Sequence, residues 1–148
     1  MTPEETLQSL GYEIVPIPVG NAALIPWVQT GNLLYMSGRT PSSKWNGQCG
    51  KEYTAAEAKE AAREIAVSQL CAAKSSLGEL SRIKRVVKVL GMVNCVPGYA
   101  EQPQVINGFS ELLVEVFGEN GRHARSAVGM AGLPGNVPVE VEVIFEIE

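Results

Sequence analysis

The sequence predicts an α+β fold in which two helices cover one face of a mixed β-sheet. Strand and helix patterns follow one another as strand pair, helix, strand, helix, strand pair. The two helical segments span about residues 54–77 and 101–117, and each is followed by a glycine, Gly78 or Gly118. With 148 residues, 45% of them hydrophobic, the chain is long enough for one domain with a core and too short for two of ordinary size.

Residues 1–22 form a predicted N-terminal extension of this single domain, 1–148. Thr2-Pro3-Glu4-Glu5 has the residues of a capping box with proline at the first helical position. We therefore expect a short helix that ends at Gly11. Prolines and a glycine predict an extended lead-in over residues 12–22.

A hairpin is predicted next, because residues 23–30 and 33–38 have strand composition and flank Gly31-Asn32. Pro26 lacks a backbone N–H, so the first of these strands belongs at a sheet edge. Residues 39–52 are a loop by composition.

The longer helix begins at a second capping box, formed by Thr54 and Glu57. Its predicted inner face consists mostly of small residues, which allow close packing on a sheet: Ala58, Ala62, Ile65, Ala66, Leu70, Ala73 and Leu77. The segment from Ile83 to Val96 is rich in Val and Ile and predicts a strand.

The last quarter of the chain contains two alternating segments on either side of Pro134-Gly135-Asn136. We interpret them as a hairpin, each strand with its apolar side towards the core. In that register Arg125 lies opposite Ile144 or Phe145 and about 16 Å along the strands from Glu140, so we expect the two side chains to meet only between neighbouring subunits.

Arg125 is the first candidate for chemistry. It shares a strand face with Ala127, Gly129 and Ala131, whose small size leaves room for a ligand. The planar guanidinium suits a carboxylate bound by two parallel hydrogen bonds. The alternative is an ion pair with one of the C-terminal glutamates. For Glu140 the alternatives are a solvated residue and a group that orders water or carries a proton.

Charge and composition disfavour several partners. A net charge of −4 opposes binding to polyphosphate, so nucleic acid is not an expected partner. Apolar segments stop well short of the roughly 18 residues that span a bilayer, and the N-terminus lacks the positive flank of a signal peptide. We therefore expect a cytoplasmic protein without a membrane partner.

The cysteines and the single histidine give no indication of a metal. Cys49, Cys71 and Cys95 are odd in number and widely spaced, which predicts reduced thiols. His123 cannot form a multi-histidine site, and its position in a loop predicts an ordinary surface residue. We expect neither a metal nor a cofactor.

Four segments together resemble the Rid family, also called YjgF/YER057c/UK114, over roughly residues 24–148: Ala124-Arg125-Ser126, Leu133-Pro134, Val139-Glu140-Val141-Glu142 and Gly31-Asn32-Leu-Leu-Tyr-Met-Ser37-Gly38. Members of that family are homotrimers with a chorismate-mutase-like fold and with sites at subunit interfaces. The best-studied branch hydrolyses reactive enamines and imines, such as 2-aminoacrylate, to 2-keto acids and ammonia. The resemblance implies the fold and, by extension, this activity.

By position, the resemblance assigns roles to several residues. Arg125 matches the arginine that holds the substrate carboxylate, and Glu140 matches the acidic residue near the attacking water. Asn107 matches a pocket asparagine, and Ser37 and Gly38 line the pocket through the backbone. Three positions depart from the family pattern: Trp27 replaces a tyrosine, Ala127 a frequent cysteine and Arg39 a common glutamine.

The sequence thus predicts a homotrimeric deaminase that acts on small 2-imino acids bound at subunit interfaces. An alternative is a non-catalytic module that uses Arg125 to bind a 2-keto acid. A third is a ribonuclease or translation inhibitor, an activity attached to some family members, against which the acidic charge and lone histidine argue.

Overall fold

The computed structural model describes all 148 residues and contains three α-helices and five β-strands. The elements are α1 (Pro3–Ser9), β1 (Trp27–Thr30), β2 (Leu33–Met36), α2 (Ala55–Leu77), β3 (Ile83–Asn94), α3 (Gln102–Phe117), β4 (Ala124–Met130) and β5 (Val139–Ile147). Both predicted capping boxes are present, at Thr2 with Glu5 and at Thr54 with Glu57. The α+β class and the helix bounds are therefore confirmed.

The strands form one mixed sheet in the order β1-β2-β5-β3-β4. All neighbouring strands are antiparallel except β3 and β4, which are parallel. The first strand of the Gly31-Asn32 hairpin lies at an edge, as Pro26 predicted. The other edge is β4, which carries Arg125.

The predicted C-terminal hairpin is wrong, because β3 lies between β4 and β5. Arg125 is opposite Val89 of β3 and not opposite Ile144 or Phe145. The physical reason is the connection through α3, since a helix between two strands allows a parallel crossover that returns β4 alongside β3. Gly135 and Asn136 both have positive φ and direct the chain around the end of β3 to β5.

The two long helices cover one face of the sheet. The predicted inner face of α2 is buried at every position. Two glycines permit the close packing of α3: a Cβ on Gly108 would overlap the Lys59 carbonyl of α2, and one on Gly91 of β3 would lie 2.5 Å from Ile106. Helix α1 joins this layer through the fully buried Leu7.

The opposite face of the sheet has no helix over it. Along β4 this is the side of Ser126, Val128 and Met130, whereas Arg125 and Ala127 point towards the helices, because they pair with the core-facing residues of β3. The predicted orientation of β4 is therefore reversed. Large apolar residues lie uncovered on this face, which we call the open face; Val28, Tyr35 and Val128 are 51%, 42% and 37% exposed. None of the helices has the length and apolarity needed to cross a membrane.

Candidate functional site

Arg125 lies where β4 passes beneath α3. Asn107 and Ser110 are three residues apart on α3, so they occupy the same side of the helix. The Arg125 Nη1 atom donates to Asn107 Oδ1 at 2.8 Å and to Ser110 Oγ at 3.2 Å. These two bonds orient the guanidinium and bring together two residues, Asn107 and Arg125, that the sequence proposed for one pocket.

The other edge of the guanidinium, formed by Nε and Nη2, has no hydrogen-bond partner in the chain. No carboxylate lies within ion-pair distance of Arg125, so the alternative of an ion pair with a C-terminal glutamate is not realised within the subunit. Burial lowers the pKa of Arg125, although an arginine stays charged at neutral pH. The free edge has the geometry that binds a carboxylate with two parallel bonds.

The same cluster contains His123, which the sequence predicted to be an ordinary surface residue. That prediction is wrong. His123 is partly buried, with Nε2 2.8 Å from Ser110 Oγ and Nδ1 2.7 Å from the Gly121 carbonyl. Burial lowers the pKa of His123, the bond to Gly121 opposes this, and Arg125 lowers the pKa further. Together with Ser110 and Arg125 it lines a depression of about 230 Å³.

Glu140 lies elsewhere, on the open face of β5, opposite Met92 of β3. Burial raises the pKa of Glu140, and the neighbouring Glu142 carboxylate raises it further. Its side chain has neither an ion-pair nor a hydrogen-bond partner in the chain. Gly38 permits its position, since a Cβ there would overlap the carboxylate. The structure thus brings Glu140 and Gly38 together, as proposed from the sequence.

Ser37 is held beside this carboxylate by the backbone. Its hydroxyl donates to the Ile25 carbonyl at 2.6 Å, and Gln69, fully buried on α2, donates to the carbonyls of Ser37 and Val141 at 2.9 Å. One buried amide therefore connects the end of β2 to β5. Because the Ser37 hydroxyl already donates its proton to Ile25, Ser37 can line a pocket only through its backbone atoms.

The family comparison identifies the fold independently. A family model described as "YjgF/chorismate_mutase-like, putative endoribonuclease" matches residues 4–147. The chain belongs to the YjgF/Rid family. It is 39% identical over 146 residues to Protein TCP17 of Trypanosoma cruzi, with 95% of this chain and 91% of the relative covered.

Two solved structures extend the comparison. Protein Atu1372 of Agrobacterium tumefaciens, described as of unknown function, is 42% identical with a TM-score of 0.89, and 99% of this chain and 92% of that chain are covered. RidA from the Antarctic bacterium Psychrobacter sp. PAMC 21119 is 25% identical with a TM-score of 0.56, and 90% and 94% of the two chains are covered. The YjgF/Rid fold therefore extends over nearly the whole chain, including α1.

The candidate residues of this YjgF/Rid chain fall into two groups. Arg125, Asn107 and Ala127 lie at the β4 edge on the helix side. Glu140, Gly38 and Ser37 lie nearer the middle of the sheet. Trp27 belongs to β1, four strands from β4, which at about 4.8 Å per strand is about 19 Å from Arg125.

Arg125 and Glu140 also point to opposite faces of the sheet. The expectation that they do not form one site within a chain agrees with this geometry, although the hairpin register from which it came is wrong. The two groups therefore do not form one pocket within a single subunit.

Sequence reasoning missed Ser110 entirely. Two signals were available: Ser110 follows Asn107 by three residues in a helix, and His123, at the entry to β4, precedes Arg125 by two residues in extended chain. Ser110 therefore lies on the same side of α3 as Asn107, and His123 on the same face as Arg125. The chain has no group of three His, Cys, Asp or Glu side chains arranged to hold a metal ion.

Proposed function

We propose that this protein hydrolyses reactive enamines and imines of small 2-amino acids, such as 2-aminoacrylate, to 2-keto acids and ammonia. The observation that carries the proposal is the state of Arg125. Its Nη1 is fixed by Asn107 and Ser110, while its Nε–Nη2 edge is free to bind the substrate carboxylate. Membership of the YjgF/Rid family, whose best-studied branch has this activity, supports the proposal.

This reaction makes modest demands on a protein. The substrate is already electrophilic, so the site has to hold its carboxylate, keep the C=N carbon accessible and position one water. Arg125 supplies the first function by charge and geometry. Ala127, two residues away on the same strand face, packs against the core. The space beside the guanidinium is the depression lined by Asn107, Ser110 and His123.

We further propose that the active unit is a homotrimer in which each cleft combines the Arg125 group of one subunit with the Glu140 group of its neighbour. Two observations support this arrangement: the apolar residues of the open face lack a cover, and Glu140 lacks a cation within its own chain. Burial of Val28, Tyr35 and Val128 between subunits would stabilise such an assembly. Light scattering should give about three times 15.8 kDa; an active protein of 15.8 kDa would contradict the trimer.

The deciding experiment generates 2-aminoacrylate in situ and measures the release of keto acid. We expect wild-type protein to accelerate release and Arg125→Ala to return it to the background rate. Lys51→Ala is the matched control, because it removes an equally charged but exposed side chain in the 39–52 loop. Background rates for both wild type and Arg125→Ala would eliminate the hydrolase.

A non-catalytic module that binds a 2-keto acid is the second candidate. The observation in its favour is that the Nε–Nη2 edge of Arg125 is free on the helix side of β4, while Glu140 is on the other face. Calorimetry with pyruvate distinguishes the two, since retained binding without catalysis would support the module. The family description also names endoribonuclease, and the same preparations should be assayed with RNA.

A further inference from the structure

We propose that Ser110 and His123 form a proton-transfer pair at the Arg125 site, in which Ser110 contacts the attacking water and His123 stores its proton. This inference rests on the proposed hydrolysis and adds residues to it that the family resemblance did not indicate. It assigns a task to the only histidine of the chain.

The hydrogen bonds fix the tautomer of His123. The Gly121 carbonyl can only accept, so Nδ1 carries the proton in the 2.7 Å contact. In the neutral ring, Nε2 is then the acceptor, and the Ser110 hydroxyl donates to it at 2.8 Å. A base oriented by a third group and bonded to a hydroxyl is the arrangement that activates nucleophiles in many hydrolases.

The Ser110 oxygen has capacity for one more bond. It donates its proton to His123 and accepts from Arg125 Nη1 at 3.2 Å, which leaves one of its two lone pairs free. That lone pair can accept a proton from a water in the depression beside Arg125. The water would then lie next to the carboxylate-binding edge.

The surroundings keep His123 neutral at pH 7. Burial and the positive charge of Arg125 lower the pKa of His123, against the opposing bond to Gly121. Arg122 is paired with Glu119, and the two α3 carboxylates Glu111 and Glu115 with Lys59 and Arg63 of α2. Lys84, Arg85 and Lys88 of β3 have no ion-pair partner. The packed elements therefore carry no unpaired carboxylate that would favour the protonated ring. A neutral imidazole is the form that can accept a proton.

The Ser110–His123 pair takes up one proton when water adds to the substrate and returns it before the amine leaves. The water oxygen bonds to the iminium carbon, and the C=N π electrons move to nitrogen. One water proton passes to Ser110 Oγ as the serine proton passes to His123 Nε2. The stored proton returns through Ser110 to the amine of the carbinolamine, the C–N bond breaks, and the hydroxyl proton leaves with the amine as ammonium. The net change is iminium plus water to ketone plus ammonium.

The test separates this role from mere positioning of Arg125. Imino acids are generated continuously by an amino-acid oxidase, and kcat and KM are measured for His123→Gln, Ser110→Ala and the double variant. We expect kcat to fall by about 10²-fold in each, with KM within a few-fold of wild type, because Asn107 still holds Arg125. The double variant should be no slower than the singles, since the two residues act as a unit.

Asn107→Ala is the comparator for positioning, and it should raise KM. The kcat of the wild type should also fall when the pH is lowered past the pKa of His123, because the protonated ring cannot accept a proton. This acidic decrease in the pH–rate profile should be absent in His123→Gln. An unchanged kcat, or a loss confined to KM, would overturn the pair while leaving the deaminase intact. An inactive wild-type protein would contradict both the deaminase activity and the proton-transfer pair. That result is obtained before any variant is made.

Discussion

Arg125 of β4 and Glu140 of β5 lie on opposite faces of one β-sheet, with β3 between their strands. Arg125 points towards α3, where Asn107 and Ser110 hold one of its terminal nitrogens. Glu140 points to the open face, close to Gly38. The free guanidinium edge of Arg125 and the Glu140 carboxylate, whose pKa is raised by burial, therefore lie on different sides of the sheet of one subunit.

Arg125→Lys should weaken binding of a 2-keto acid by at least tenfold. Lysine keeps the positive charge but cannot present two parallel N–H donors, nor reach Asn107 and Ser110 while binding a ligand. Calorimetry with pyruvate measures the effect. Lys51→Arg is the control, because Lys51 is exposed in the loop before α2 and does not line the depression beside Arg125. The Kd of this control variant should remain at the wild-type value.

Val128→Glu should dissociate the proposed trimer. Val128 lies on the open face of the edge strand β4, so a carboxylate there would be buried without a partner on assembly. Light scattering should report a mass near that of one subunit. Leu10→Glu, a similar change at the exposed end of α1, should leave the mass unchanged. A trimeric Val128→Glu protein would place the subunit contact elsewhere.

Gly38→Ala should reduce deaminase activity with little effect on stability. The new Cβ would displace the end of the flexible Glu140 side chain and no backbone atom, so we expect the free energy of unfolding to change by less than about 1 kcal/mol. Keto-acid release and urea denaturation are measured together. Gly132→Ala, whose Cβ would meet no atom within 4 Å, is the control. Wild-type activity in Gly38→Ala would argue against a role for Glu140.

Gly108→Ala should destabilise the protein by about 1–3 kcal/mol, as overpacked cores do. In an exposed helix the same substitution would stabilise by roughly 1 kcal/mol, through lower backbone entropy in the unfolded chain. Here the methyl group would overlap the Lys59 carbonyl of α2, so the two helices must separate. Urea denaturation gives the sign, and a stabilised variant would refute the close contact.

His123 should make folding stability depend on pH between about 7 and 5. Its folded-state pKa is lowered from 6.5 by burial, with Gly121 opposing and Arg125 contributing, so the unfolded chain binds a proton first as pH falls. Stability is therefore greatest above the unfolded pKa and declines on acidification. The pH dependence is measured from the urea midpoints of wild type and His123→Gln at about pH 7 and about pH 5. The wild type should lose more stability than the variant; equal losses would contradict a buried neutral histidine.

Much of the fold was predictable because its determinants are local. The capping residues Thr2 and Thr54 fix where α1 and α2 begin, and the spacing of small residues fixes which side of α2 is buried. The proline before β1 placed that strand at an edge, where a missing N–H costs no ladder bond. Arg125 and Asn107 were also paired correctly as neighbours, through the family resemblance.

The wrong predictions, the C-terminal hairpin and the orientation of β4, concern features that depend on pairing between segments distant in the chain. A turn at Pro134-Gly135-Asn136 is compatible with a hairpin, but β3 also has an apolar side and pairs with β5 over nine residue pairs, from Ile83–Ile147 to Val93–Val139. That pairing determines which residues face each other across strands and to which face of the sheet each side chain points. The sequence also could not show that His123 is buried, because Ser110 reaches it only after α3 packs on β4.

The sequence by itself determined the helices, their caps, the apolar pattern of the strands and the membership of a family, since each depends on residues close together in the chain. The tertiary structure decided the insertion of β3 between β4 and β5, the separation of Arg125 from Glu140 and the contact of Ser110 with His123. Those features depend on which distant surfaces bury the most apolar area and satisfy the most backbone hydrogen bonds together, a competition that involves the whole chain.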